Sequence, residues 1–183
     1  EEERKKVDGA TLVNADDPRV MEIWNLVFIQ YNRDESGALS PLPARHVDTG
    51  MGFERTVSIL QHVLTNYDTD IFRPLINRIA DMTGQAYTQG DTVVPFRILA
   101  DHARALTFAI TDGALPSNEG RGYVLRRILR RAARYSRTIG EQDPFLYRLV
   151  PAVIEQMGAA YPEIRTAQEH VEIVIKSEEE AFG

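Results

Sequence analysis

The chain has 183 residues, 43% hydrophobic and 26% charged, which predicts a packed globular protein and excludes bulk disorder. Its 21 basic residues against 27 acidic ones give a net charge of −6, which excludes a uniformly basic nucleic-acid coat. There is no Cys, which excludes disulfides and a cysteine nucleophile, and no apolar run approaches the ~18 residues of a membrane span.

The sequence opens Glu1-Glu2-Glu3-Arg4-Lys5-Lys6, without an initiator Met or a secretion signal, as expected for a piece of a longer chain. Glu22 to Asn32, EIWNLVFIQYN, is rich in β-branched and aromatic residues and apolar on both faces, so it predicts a central strand buried on both sides. DESG at 34–37 is turn chemistry. A short second strand is expected near Ala38–Leu42, limited by Pro41 and Pro43, and a third over Arg45–Met51. Short connections favour antiparallel neighbours. After Gly52 the apolar period becomes helical, with Phe53, Val57, Leu60 and Leu64 on one face. Further helices are predicted over 70–82, 96–109, 120–139, 144–160 and 164–181, separated by Gly and Pro. The expected fold class is α+β and helix-dominated: a partial antiparallel sheet with one helix over residues 1–67, then a helical domain over 68–183.

Two segments carry chemistry. In HVDTGMGFER, an extended backbone turns Asp48, Gly50 and Gly52 to one face. One carboxylate beside two absent side chains would let a ligand approach the backbone. Arg55, in the first turn of the next helix, suits an anionic ligand such as a phosphate. The competing reading is a bulge, with Arg55 pairing Glu54 or solvent. On the first strand Asn25 and Val27 share a face and would make a pocket wall of one amide and one apolar group; the alternative is a structural Asn bonding a loop.

The second segment, RGYVLRRILRRAARYSRTIG, holds seven Arg and no acid. At about 100° per residue, Val124, Leu125, Ile128, Leu129, Ala132, Ala133, Tyr135 and Ile139 fall on one side. Arg126, Arg127, Arg130, Arg131, Arg134 and Arg137 fall on the other. Six guanidinium groups within roughly 17 Å of axis call for an anionic partner, RNA for part of the face, with internal pairing to acids such as Glu178, Glu179 and Glu180 for the rest. Just upstream, Asn118 in LPSNEGRG can donate and accept, as reading a base-pair edge requires; its alternative is a cap for the arginine helix. His46, His62, His102 and His170 form no metal-ligand spacing, so no metal site is expected, and Asp101-His102 reads as a buried polar contact rather than a catalytic dyad.

HVDTGMGFER resembles motif 3 of the class II aminoacyl-tRNA synthetases. EIWNLVFIQYN, NYDTDIF, RILADHAR and RGYVLRRILRRA, in that order, resemble the alanine-specific family among them, from about Asp16 to the C-terminus. The resemblance implies that Asp48 holds the ammonium group of alanine, that Asn25 contacts the amino acid, that Val27 limits its side-chain space and that Gly50 lies at the pocket floor. It implies that Gly52 and Arg55 face ATP, with Arg55, the expected catalytic arginine, on its phosphates or its adenine. It implies that Asn118 helps read a G–U pair of the tRNA(Ala) acceptor stem; the arginine face itself, by its charge, adds Arg126, Arg130 and Arg134 as expected tRNA contacts. ATP with Mg would be the co-substrate, and zinc would belong only to an editing domain outside this sequence. Partners would be tRNA(Ala), alanine, ATP and the remainder of the synthetase, in the cytoplasm and away from membranes. Motifs 1 and 2 are not found, so the segment is expected to be inactive alone. The alternative reading is a non-catalytic RNA-binding helical module, and a third, an unrelated phosphate-binding enzyme, leaves the arginine helix unexplained.

Overall fold

The computed structural model describes residues 6–15, 17, 19–88 and 90–182. The chain divides into two compact units, Glu1–Asn66 and Tyr67–Gly183.

In the first unit β1 (Trp24–Arg33) and β2 (Leu39–Met51) form an antiparallel hairpin. Its turn is built by Asp34, whose Oδ1 accepts from the Ser36 hydroxyl and from the backbone N–H groups of Ser36 and Ala38 at 2.6–3.0 Å. The Ser36 hydroxyl and these N–H groups hold the Asp34 carboxyl below its usual range. Gly37 follows at φ +86°, a left-handed position suited to glycine. The two strands expected over 38–42 and 45–51 are one strand. The register runs regularly from Trp24↔Met51 to Ile29↔His46, then shifts so that Tyr31 faces Pro41. Residues 42–45 take up the shift, and Pro43 among them has no N–H to give a ladder.

The expectation of a strand buried on both sides is corrected. Every residue of β1 is exposed, Phe28 at 68% and Trp24 at 55%. Composition showed that both faces are apolar; burial requires layers on both sides, and a two-stranded ribbon does not supply them.

α1 (Phe53–Leu60) ends four residues earlier than its apolar period. His62 is left-handed at φ 55°, and the N–H groups of His62 and Val63 close back onto the carbonyls of Ile59 and Ser58 at 3.1 and 3.0 Å. A left-handed non-glycine residue costs roughly 1–2 kcal/mol, and nothing in the residue type signals that the turn will be accepted there.

The second unit is helical: α2 (Arg73–Thr83), α3 (Val93–Thr111), α4 (Gly120–Thr138), α5 (Val150–Met157), α6 (Pro162–Thr166) and α7 (Gln168–Glu180). α3 and α4 end at left-handed Gly113 and Gly140. The helix expected over 144–160 is instead a 3₁₀ turn, Leu146–Leu149, leading into α5 with Pro151 in its first turn. The helix expected over 164–181 starts at Pro162 and is interrupted at Ala167.

α3 is the axis of this unit. Phe96, Leu99, Ala103, Leu106 and Ile110 are buried along it, and α2, α4, α5, α6 and α7 all pack against it. Its charged stripe is covered by aromatic rings. Arg97 donates to the Tyr87 hydroxyl at 2.8 Å and lies 5.0 Å from the Tyr67 ring centre, and Arg104 lies 4.5 Å from that of Phe72.

α7 is fixed by Glu179, only 5% exposed, whose carboxylate accepts from the N–H groups of Phe145, Leu146 and Tyr147 at 2.8–3.2 Å. It caps the 3₁₀ turn from across the core. Burial pushes the Glu179 carboxyl above its ordinary range, although the three N–H groups oppose this. The folded state therefore holds its proton to higher pH than the unfolded chain, and stability falls as pH rises from the unfolded value towards the folded one. Thermal melts across that window should show this decline, and Glu179→Gln should flatten it; an equal slope in both proteins would remove Glu179 as its source.

Candidate substrate face and nucleic-acid interface

The hairpin register puts four singled-out residues on one face. Asn25 pairs with Gly50 and Val27 with Asp48, followed by Ile29 with His46. Directly paired residues in an antiparallel ladder share a side. Trp24, Leu26, Phe28, Val47, Thr49 and Met51 occupy the other.

The glycines act differently from a bare floor. Asn25 Oδ1 accepts from the Gly50 N–H at 3.1 Å, and a Cβ at Gly50 would sit 3.1 Å from that oxygen. The amide of Asn25 occupies the space that Gly50 leaves open, and its Nδ2 lies 3.5 Å from Glu22 Oε1. Gly52 stays extended before α1, donating its N–H to the Ile23 carbonyl at 2.8 Å. A Cβ there would meet the aliphatic stem of Arg55 at 3.2–3.4 Å. Arg55 is exposed and donates from Nη1 to the Glu22 carbonyl at 2.8 Å, which ties its guanidinium to the start of the hairpin. Each glycine thus seats a polar side chain of this chain: Gly50 seats Asn25 and Gly52 seats Arg55. Asp48 is exposed, with one oxygen accepting from the Thr49 N–H at 3.0 Å. Glu22, which organises both Asn25 and Arg55, was not singled out from the sequence, because one of its two contacts is made by a backbone carbonyl.

The second unit presents the arginine helix. Its buried stripe is Gly122, Leu125, Leu129, Ala132, Ser136 and Ile139. This is narrower than predicted: Val124 is 53% exposed, and Ile128 and Tyr135 are only partly covered. α3 and α7 together cover a stripe one residue wide per turn, not the whole apolar half.

The arginines divide into two groups. Arg126 is spent internally. Its Nε and Nη2 donate to the two carboxylate oxygens of Glu178 on α7 at 3.0 and 2.8 Å, and its Nη1 donates to Asn118 Oδ1. The Glu178 carboxylate holds the Arg126 guanidinium above its ordinary range. Arg137 makes a long 3.4 Å bond to the Phe182 carbonyl. Arg127, Arg130 and Arg131 lie 5.9, 5.1 and 5.9 Å from the ring centres of Tyr123, Phe182 and Tyr135. Arg134 is exposed. Among the described residues Arg127, Arg130, Arg131 and Arg134 form no salt bridge.

Two open clefts follow this face. One of about 630 Å³ is lined by His102, Asn118, Tyr123, Arg126, Arg127 and Arg130 among others. The other, about 560 Å³, lies among Arg130, Arg131, Arg134, Arg137, Tyr135 and Phe182. Guanidinium groups interleaved with aromatic rings match the chemistry of nucleic acid, which offers phosphates and flat bases. His102 is 7% exposed with Nδ1 at 2.9 Å from Asp101, so it is a buried polar contact.

Asn118 does not cap α4: Glu119 holds that position, and Asn118 is exposed with Oδ1 engaged by Arg126. The loop that carries it is pressed onto the first turn of α4 at Gly122, where a Cβ would run into the Ser117 side chain and the Leu115 carbonyl.

Residues 1–183 match the family tRNA synthetases class II (A) over their whole length, and the chain belongs to that family. It is 59% identical over 177 residues to the alanine–tRNA ligase of Chlorobium phaeobacteroides, covering 95% of this chain and 20% of that protein. It is 54% identical over 183 residues to the alanine–tRNA ligase of Bacteroides fragilis, and 52% over 184 to that of Christiangramia forsetii, covering 99% and 100% of this chain and 21% of each relative. The chain therefore spans about a fifth of the length of these relatives. The helix-dominated α+β architecture agrees with the family. Among the described residues no helix is long and apolar enough to cross a membrane.

Gly122 separates two opposing effects. Ala is favoured over Gly in a helix by about 1 kcal/mol, whereas overlap with a backbone carbonyl costs typically 1–3 kcal/mol. Gly122→Ala should therefore lower stability in urea unfolding; a more stable variant would show that the 115–117 loop moves away freely.

Proposed function

We propose that this chain is a working part of an alanine–tRNA ligase. In this reading the hairpin supplies the alanine pocket and part of the ATP site, and the helical unit grips the tRNA acceptor stem. The observation that carries it is the shared face on which an amide, a small apolar side chain and a carboxylate stand together: Asn25, Val27 and Asp48 beside Gly50.

The first step joins the alanine carboxylate to the α-phosphate of ATP and releases pyrophosphate. The second passes the alanyl group to a terminal ribose hydroxyl of the tRNA and releases AMP. Asp48 offers a negative charge for the ammonium of alanine, Asn25 a hydrogen-bonding amide beside it, and Val27 a wall against larger side chains. Arg55, held in place by Gly52 and the Glu22 carbonyl, offers positive charge to the phosphates of ATP, with Mg accompanying the nucleotide. Such chemistry rests on positioning and charge stabilisation, with little proton transfer by side chains. A pocket of this kind separates alanine from glycine or serine by only ~1–3 kcal/mol, so editing belongs elsewhere in a whole enzyme.

For the helical unit we propose that Arg130 and Arg134 contact RNA phosphates and that Asn118 reads the acceptor stem. Arg126, neutralised by Glu178, takes a positioning part instead. The apolar faces of β1 and β2 support a further point. They are surfaces for the remainder of a longer synthetase in the cytoplasm, without which the segment does not form alanyl-adenylate.

The test joins this segment to the preceding region of a relative and measures alanine-dependent exchange of pyrophosphate into ATP. Exchange should appear, and Asp48→Asn should raise the KM for alanine far more than that for ATP. Equal losses for both would remove the role given to Asp48, and RNA binding without any exchange would favour a pure binding module.

A second measurement addresses the helix. Replacing Arg130 and Arg134 by Gln should weaken binding to an RNA stem and reduce the slope of log affinity against log salt by about 1.4–1.8 for two contacts, at 0.7–0.9 per phosphate. An unchanged slope would take both residues out of the interface.

A further inference from the structure

His102, on the central helix α3, uses one ring nitrogen and leaves the other unmet. Its side chain is 9% exposed, and Nδ1 lies 2.9 Å from Asp101 Oδ2. An ionised carboxylate only accepts, so Nδ1 carries the hydrogen and Nε2 is left as a bare acceptor. Nε2 is buried, and among the described residues it has no hydrogen-bond partner. A buried polar atom without a partner is unfavourable, so a ligand group that meets it gains by doing so. The imidazole stands in the wall of the cleft of about 630 Å³, with Tyr123, Arg126, Arg127 and Arg130. Guanidinium groups only donate, and Asn118 Oδ1 in the same wall is already engaged by Arg126. The cleft therefore combines donors on exposed arginines with an acceptor on a buried ring.

We propose that His102 Nε2 accepts a hydrogen bond from a ribose 2′-hydroxyl, so that this cleft selects RNA by its sugar. The inference rests on the reading that the arginine face binds an RNA stem. The arginines meet phosphates, which RNA and DNA share, and so cannot tell the two apart. The 2′-hydroxyl can, and an A-form stem displays it along its wide, shallow minor groove. It donates to Nε2 while accepting from a guanidinium, which matches both kinds of group in the cleft. The exocyclic amine of a base only donates and matches one of them. Tyr123, Arg127 and Arg130 are exposed, and the two arginines form no salt bridge among the described residues. These side chains are free to turn aside and admit the hydroxyl to the buried nitrogen.

The experiment measures binding of the chain to two stem-loops of one sequence, one with ribose and one with 2′-fluoro sugars, which keep the A-form but cannot donate. The parent should bind the ribose stem about tenfold more tightly, the worth of one well-made hydrogen bond. His102→Phe keeps a flat ring without its nitrogens and leaves Asp101, 43% exposed, to solvent. It should bind both stems alike, with the salt slope of the parent. His102→Gln places an amide oxygen near the position of Nε2 and should recover part of the preference. A purely structural histidine would shift the thermal melt of these variants and leave the preference between the stems unchanged.

A parent that bound both stems equally, with binding still weakened by salt, would overturn this role of His102 while the RNA-binding reading stood. A parental preference that His102→Phe preserved would belong to another group and would overturn it as well. Binding to neither stem would remove the RNA reading, and this inference with it. Should His102→Phe not fold, nitrogen NMR of the imidazole in the parent carries the test. Nε2 should be unprotonated in the free chain, and its signal should move with the ribose stem and not with the fluoro stem. A protonated Nε2, or equal movement with both stems, overturns the proposal.

Discussion

The helical unit depends on the burial of α3. Its apolar residues recur around most of the helix, so it must be surrounded, and five other helices find their places by packing on it. The central packing sets where α4 and α7 lie, and hence that the arginine helix runs beside a helix ending in Ser177-Glu178-Glu179-Glu180. Successive residues on α7 point about 100° apart. Glu179 turns inward to cap the 3₁₀ turn, and Glu178 turns sideways to Arg126. Two adjacent, chemically equal carboxylates therefore do different things: one stabilises the fold and the other organises a surface.

The hairpin is governed by a different constraint, the close approach of side chain to backbone. At Gly50 and Gly52 the position that a Cβ would take lies against side chains of this chain. Their missing side chains are replaced by Asn25 and the stem of Arg55, which brings an amide and a guanidinium to fixed positions at one end of the ribbon. Large apolar residues on the opposite face remain exposed, consistent with a segment that covers a fifth of the length of its relatives.

Much of the site was legible before any coordinates. Alternation along an extended strand placed Asp48 with Gly50, and Asn25 with Val27; the register then joined the two pairs on one face. The division of α4 into an apolar and an arginine side followed from helical spacing, and the structure narrowed the apolar side to what its neighbours cover. The early stop of α1 was not legible, because a left-handed His62 looks like any other residue until the chain folds back onto it. Nor was the importance of Glu22 or of Gly122, whose contacts run to backbone atoms and leave no mark in residue type.

By itself the sequence determined the local period of each element, the segregation of charge on α4, and the residue types gathered in the glycine strand, since these depend on neighbours within a few positions. Only the tertiary structure decided which arginines are free and which are taken. Arg126 and Glu178 are 52 positions apart, and their pairing is fixed by the packing of α4 and α7 on a common core. A local pattern can show that charge is present; what neutralises it depends on groups that the fold brings from far along the chain.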